Sequence, residues 1–218
     1  MVAGLVTRQS RLLALIQPMQ PDYFQQYCQL KQQGLRKEAR KPLLAFIDSF
    51  QSMEEKIVWT QEYLPIWEQE NDHKIRHELY SEIVFPALLH RYRQQELWSI
   101  KGLLTTIQNL YSCPQLWEQI DRKTDWMLLE EARALAPDDM EIKHQLIEKH
   151  LKWFEHCQHE WPWGILYWNN GASVEECEEI LRAVERTRVL DCELIHQTFL
   201  DEFVDKVYTY QRRLLTKS

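Results

Sequence analysis

Apolar residues recur every three to four positions along most of this chain, the period of a helix with one buried face. The stripe is clearest over 53–70, where Ile57, Trp59, Tyr63, Ile66 and Trp67 fall at helical spacing. Segments 73–93 and 95–111 repeat it through Ile75, Leu79, Ile83 and Ala87, then Leu97, Ile100, Leu104 and Ile107. Ser52 with Glu55, and Ser173 with Glu176, form S-x-x-E capping boxes at two helix starts. Earlier, Leu12, Leu13, Leu15 and Ile16 predict a short N-terminal helix over 7–17, which Pro18 and Pro21 end. Residues 22–33 form the next helix, with Gly34 placed as its C-terminal cap. Leu43, Leu44, Phe46, Ile47 and Phe50 line a further helix that starts either near Leu35, with a kink, or at Pro42.

Pro65 and Pro86 fall inside helical patterns and predict kinks. Ser112 and Pro114 mark a new start, and Thr124 caps a segment ending at Ala136 and Pro137. Asp138 or Asp139 then caps a helix running to about 160. Residues 161–172 interrupt the pattern, and helix resumes from Ser173 to about Leu215 with a break near Asp191. The expectation is one all-α domain over 1–218, about ten helices in an antiparallel hairpin bundle or a short irregular array. Residues 1–17 stand as an N-terminal arm helix and 161–172 as an aromatic loop. Only five glycines and eight prolines occur in 218 residues, too little turn material for a sandwich or a doubly wound sheet.

Composition narrows the function classes. Hydrophobic residues at 44% and charged residues at 27% are ordinary for a folded chain. The net charge of −7 argues against a nucleic-acid binder, and no apolar run reaches the ~20 residues of a membrane span. Arg8 and Arg11 interrupt the mildly apolar start where a signal peptide would continue, so the cytoplasm is the expected compartment. Cys28, Cys113, Cys157, Cys177 and Cys192 are odd in number and widely spaced, which predicts reduced, mostly buried thiols. Charge is uneven: residues 1–50 hold seven basic and three acidic side chains, whereas 173–205 hold ten acidic and three basic. An acidic helical surface of this kind either is a solvated face or steers a basic partner.

The segment from Gln26 to Gly34, followed by Glu38 and Ala39, resembles a helix–glycine–helix hairpin of the tetratricopeptide kind. Glu131 to Pro137, with Ala132 and its closing proline, is similar to the end of such a repeat. The likeness covers about a fifth of the chain, and no period of about 34 residues joins the two segments. It implies a helical-hairpin scaffold, a type that generally binds other proteins.

Two constellations carry candidate chemistry. Glu-x-x-His occurs at Glu70/His73, Glu141/His144 and Glu193/His196, and on a helix this spacing puts carboxylate and imidazole on one face. Glu141, His144, Glu193 and His196 are therefore the candidate ligands of a metal site for iron, manganese or zinc, with Glu118 and Glu176 as nominal further carboxylates. His150, His156, Cys157 and His159 lie close in sequence but diverge on a helix, so they predict a helix-end lining more than a ligand set. HExxH, GxSxG, a phosphate loop and a dinucleotide fingerprint are all missing, which leans away from an enzyme.

The aromatic loop is the most unusual stretch, with Trp161, Trp163, Tyr167 and Trp168 inside eight residues. It either folds back as a plug over the end of the bundle or presents rigid anchors to a partner. The other tryptophans, Trp59, Trp67, Trp98, Trp117, Trp126 and Trp153, lie within helical patterns and are expected in the core. The leading expectation is a non-catalytic protein-binding module of adaptor or toxin-neutralising type. Trp161, Trp163, Tyr167, Trp168, Glu175, Glu176, Glu178 and Glu179 form its contact surface, and the partner is basic. The alternative is a helical metalloprotein.

Overall fold

The computed structural model describes residues 21–69 and 74–216. The N-terminal arm helix and the Glu70/His73 pair lie outside them. The all-α class expected from the periodicity is found, and the one sheet among the described residues is a two-stranded hairpin. None of the described helices is long and apolar enough to cross a membrane. The chain divides into two compact units, one ending at Leu128 and one beginning at Leu129.

In the first unit the helices are α1 (Pro21–Gln32), α2 (Arg36–Asp48), α3 (Met53–Gln69), α4 (His77–Leu79), α5 (Phe85–Tyr92), α6 (Leu97–Thr105), α7 (Ile107–Tyr111) and α8 (Pro114–Glu118). Gly34, at φ 78°, ends α1 in a Schellman motif: Leu35 N–H reaches Leu30 O (2.9 Å) and Gly34 N–H reaches Lys31 O (3.0 Å). The same pair of bonds recurs at Gln95 and at Asp121, at φ 60° and 57°, without glycine. Helix α2 starts at Arg36, so Pro42 lies inside it. The first capping box forms with a shift. Ser52 Oγ accepts from Glu55 N–H (3.2 Å), while the Glu55 carboxylate accepts from Gln51 N–H (2.8 Å) in place of Ser52 N–H.

The core of this unit is aromatic at one end. Phe24, Phe46, Phe50, Trp59 and Tyr63 make a continuous cluster, with Trp59 and Tyr63 stacked at 4.4 Å between centroids. Pro86 coincides with a π turn, Tyr80–Val84, between α4 and α5. A proline has no N–H for the carbonyl four residues back, here that of Glu82. Lys56 Nζ donates to that oxygen at 2.8 Å. Asn109, 7% exposed, holds Ile75 as a strand partner would: its amide accepts from Ile75 N–H (2.9 Å) and donates to Ile75 O (2.7 Å).

Helix α9 (Asp125–Leu135) contains the boundary between the units. The second unit continues with α10 (Met140–Cys157), β1 (Leu166–Tyr167), β2 (Asn170–Gly171), α11 (Val174–Leu190) and α12 (Gln197–Leu215). Asp139 caps α10 through Ile142 N–H, and Ser173 with Glu176 form a complete capping box on α11. Its core joins Phe154 and Cys157 of α10, Cys177, Ile180, Ala183 and Val184 of α11, and Leu200, Phe203 and Val207 of α12. Phe154 and Phe203 stack at 5.0 Å. Trp59 and Trp67 are buried as expected of core tryptophans, whereas Trp98, Trp117, Trp126 and Trp153 are half-buried. The five cysteines are free thiols; Cys157 and Cys177 are buried, Cys28 and Cys113 half-buried, and Cys192 is exposed.

One packing constraint in the first unit is directly testable. A Cβ at Gly102 would lie 2.5 Å from Leu88 Cδ2 and 3.1 Å from Leu64 Cδ1, and Leu88 is fully buried. Alanine gains up to ~1 kcal/mol of helix propensity, but overpacking a filled core costs ~1–3 kcal/mol. Gly102→Ala is expected to lower stability by about 1–2 kcal/mol, read as a fall in the urea midpoint; a raised midpoint would show that Leu88 moves freely.

Candidate partner-binding surface

The loop after α10 is both plug and display. After a turn through the cis Trp161–Pro162 peptide, Ile165 enters the core fully buried, and Ala172 returns to it at 2% exposure. Ala172 N–H donates to Ile165 O (2.8 Å), closing the hairpin in which Leu166 faces Gly171 and Tyr167 faces Asn170. Trp161 and Tyr167 are half-buried against that core. Trp163 and Trp168, by contrast, are 88% and 68% exposed. A plug would bury all four aromatics, so two serve the fold and two face solvent.

Trp168 is the first of the two residues at the hairpin tip and has φ 54°. Glycine ordinarily occupies such a position, because a Cβ there crowds the following carbonyl at a cost of about 1–2 kcal/mol. His156, in the last turn of α10, donates from Nε2–H to the Trp168 carbonyl at 2.8 Å and holds the tip in place. At the other end of the loop Arg213 lies over the Trp161 ring, 5.3 Å from its centroid, and donates to Pro162 O at 2.7 Å.

Acidic side chains of α11 stand beside this tip. Tyr167 donates its hydroxyl to Glu179 at 2.5 Å. That carboxylate holds the Tyr167 phenol above its ordinary range, and burial and the charges of Glu179 and Glu176 add in the same direction. Glu176 accepts from Ser173 N–H (2.7 Å) as part of the capping box, and Glu175 accepts from Ser173 Oγ (3.0 Å). Its own backbone N–H and the Ser173 hydroxyl keep the Glu175 carboxyl below its usual range. Glu178 sits 3.9 Å from Arg182. Among the described residues no Lys or Arg pairs with Glu179.

The candidate metal ligands are distributed otherwise. His144 of α10 and Glu193 and His196 of the α11–α12 turn line one pocket of about 190 Å³, together with Glu148, Cys192 and an apolar wall that includes Met140, Ile147, Leu190 and Ile195. Glu141 does not line it and accepts from Gln145 Nε2 at 3.4 Å. Glu193 and His196 lie in the turn before α12, not on one helix face. Glu118 pairs with Arg122, and Glu176 is committed to its cap. Among the described residues no group of three His, Cys, Asp or Glu side chains is arranged to hold a metal ion. The turn itself is set by Asp191, 4% exposed, whose two oxygens accept from Ile195 N–H (3.1 Å) and His196 N–H (2.8 Å), with Leu194 at φ 57°.

The histidines at the end of α10 separate as their helical positions require. His159 is exposed, His156 serves the hairpin, and burial pushes the Cys157 thiol up to about 12. His150 is 2% exposed; Thr187 donates to Ala183 O (2.8 Å) and accepts from His150 Nδ1–H (2.8 Å). Burial, reinforced by Arg186 and Arg133, pushes its pKa down from 6.5 to about 4. The unfolded chain therefore takes up a proton below about pH 6.5 that the folded one refuses until about 4. Stability from this group is complete above that window and falls with acidification by up to ~1.4 kcal/mol per pH unit. Urea midpoints measured from pH 7 to 4 should fall more steeply for the native chain than for His150→Gln; parallel curves would remove the assignment.

The His156–Trp168 link and the outward pair Trp163 and Trp168 had no signature in sequence, since histidine spacing and aromatic density say nothing of which ring a hairpin turns outward. No family model, no curated protein and no solved structure matches this chain.

Proposed function

We propose that this chain is a non-catalytic protein-binding module, of the adaptor or toxin-neutralising kind, that engages its partner through the aromatic hairpin and the acidic start of α11. The observation that carries the reading is the exposure of Trp163 and Trp168 on a loop whose other aromatics are packed. Tryptophan is among the residues that dominate interface energetics, because it buries a large rigid surface at little entropic cost. The tip also holds Trp168 in a backbone conformation that glycine would adopt freely. Glu175, Glu176, Glu178 and Glu179 give the neighbouring surface an acidic character that suits a basic partner.

The test compares three proteins as baits in lysate of the native organism, at moderate and high salt. The native chain is expected to retain one stoichiometric, basic partner that is released at high salt. Trp163→Ala with Trp168→Gly should lose that partner at least tenfold while its urea midpoint does not fall, since glycine suits the tip. Trp161→Ala should instead lower stability by about 1–2 kcal/mol, because its half-buried ring packs on the core. Undiminished capture by the double variant would refute the reading.

A further inference from the structure

Three features on the hairpin side of α11 bear on what the partner presents. First, the exposed Trp168 indole stands edge-on to Tyr167, with centroids 6.3 Å apart and planes at 85°, so the two rings meet as a corner. Second, the Tyr167 hydroxyl fixes the Glu179 carboxylate at 2.5 Å from that corner's phenolic end. A carboxylate offers about four acceptor positions, and this bond occupies one. Third, Glu179 is exposed and has no cationic partner among the described residues, while Glu176 adds negative potential at the same phenol.

An exposed indole beside an unneutralised, oriented carboxylate is a complement for a cation that is flat on one face and a multiple donor at its edge. Guanidinium has both properties: it stacks on aromatic faces and offers five N–H donors in a fixed fork. The compact, strongly hydrated ammonium of lysine has only the charge. The same loop already makes this contact internally, with Arg213 over Trp161 and its Nη1 donating to Pro162 O.

We infer that the corner formed by Trp168, Tyr167 and Glu179 receives an arginine side chain of the partner. The inference rests on the protein-binding reading and names the chemistry that the partner brings.

The probe is a tetra-arginine peptide titrated into the full chain at low salt, followed through the indole N–H cross-peaks in nitrogen-15 NMR. Trp168→Gly assigns the Trp168 peak by its disappearance. The expected result is a saturable shift of that peak, several-fold weaker with tetralysine and missing with tetraglutamate. Glu179→Gln keeps an acceptor for Tyr167 and removes only the charge, so it should raise the apparent Kd at least threefold with the other cross-peaks unmoved. Lack of a saturable shift would overturn the assignment, as would identical titration of Glu179→Gln. A stronger response to an uncharged apolar tetrapeptide or to phosphatidylserine vesicles would overturn it too. If these fail while the captured partner still depends on Trp163 and Trp168, only the arginine assignment falls. If the double variant keeps its partner, the reading beneath it falls instead.

Discussion

A helical chain must reverse direction often, and this one has five glycines in 218 residues with which to do it. Left-handed backbone is where helix ends and tight turns are made, and only glycine enters it without steric cost. Gln95, Asp121, Arg122, Trp168 and Leu194 take it instead, at φ between 53° and 60°. Each is held by bonds that a free turn would lack. Gln95, and Asp121 with Arg122, sit in paired Schellman bonds; Leu194 lies inside the loop that Asp191 closes; Trp168 is gripped by His156. The cost of each such residue, about 1 kcal/mol or more, is offset locally by backbone groups that would otherwise go unpaired.

The same logic governs the helix interiors. Side chains complete hydrogen bonds that the backbone cannot: Lys56 takes the Glu82 carbonyl left by Pro86, Asn109 pairs with Ile75, and Thr187 links His150 to α11. Buried polar groups are costly unless paired, so Asn109, His150 and Thr187 fix positions that apolar packing alone would leave adjustable. His150 shows the consequence for ionisation, since an imidazole buried away from water and close to Arg186 and Arg133 resists protonation.

The proposed function attaches to a place where left-handed backbone carries an exposed indole. At the hairpin tip a glycine would complete the turn and present nothing. Tryptophan completes it and presents an indole, with Tyr167 and Glu179 ordered beside it. The hairpin is anchored by Ile165 and Ala172, so its tip is carried on a packed base and is not a free loop. A rigid anchor loses less entropy on association than a mobile one, which suits this tip to the proposed role.

By itself the sequence determined the helical class and most of its punctuation. Gly34, the capping boxes at Ser52 and Ser173, the cap at Asp139 and the break at Asp191 are local chemistry: the stop or start signal and the atoms that answer it lie within a few residues. Pro86 was legible as a disturbance, but neither the adjacent π turn nor the Lys56 bond to the Glu82 carbonyl, from thirty positions away in sequence, was. The candidate ligands show the same divide. Spacing put Glu141 with His144 and Glu193 with His196, whereas the fold placed the second pair in a turn and brought His144 to it without Glu141. The aromatic loop was conspicuous by composition, yet four similar rings carry no signal of which are buried. Tertiary structure decided that, because the hairpin register and the contacts of Ile165 and Ala172 turn Trp161 and Tyr167 inward and leave Trp163 and Trp168 to solvent.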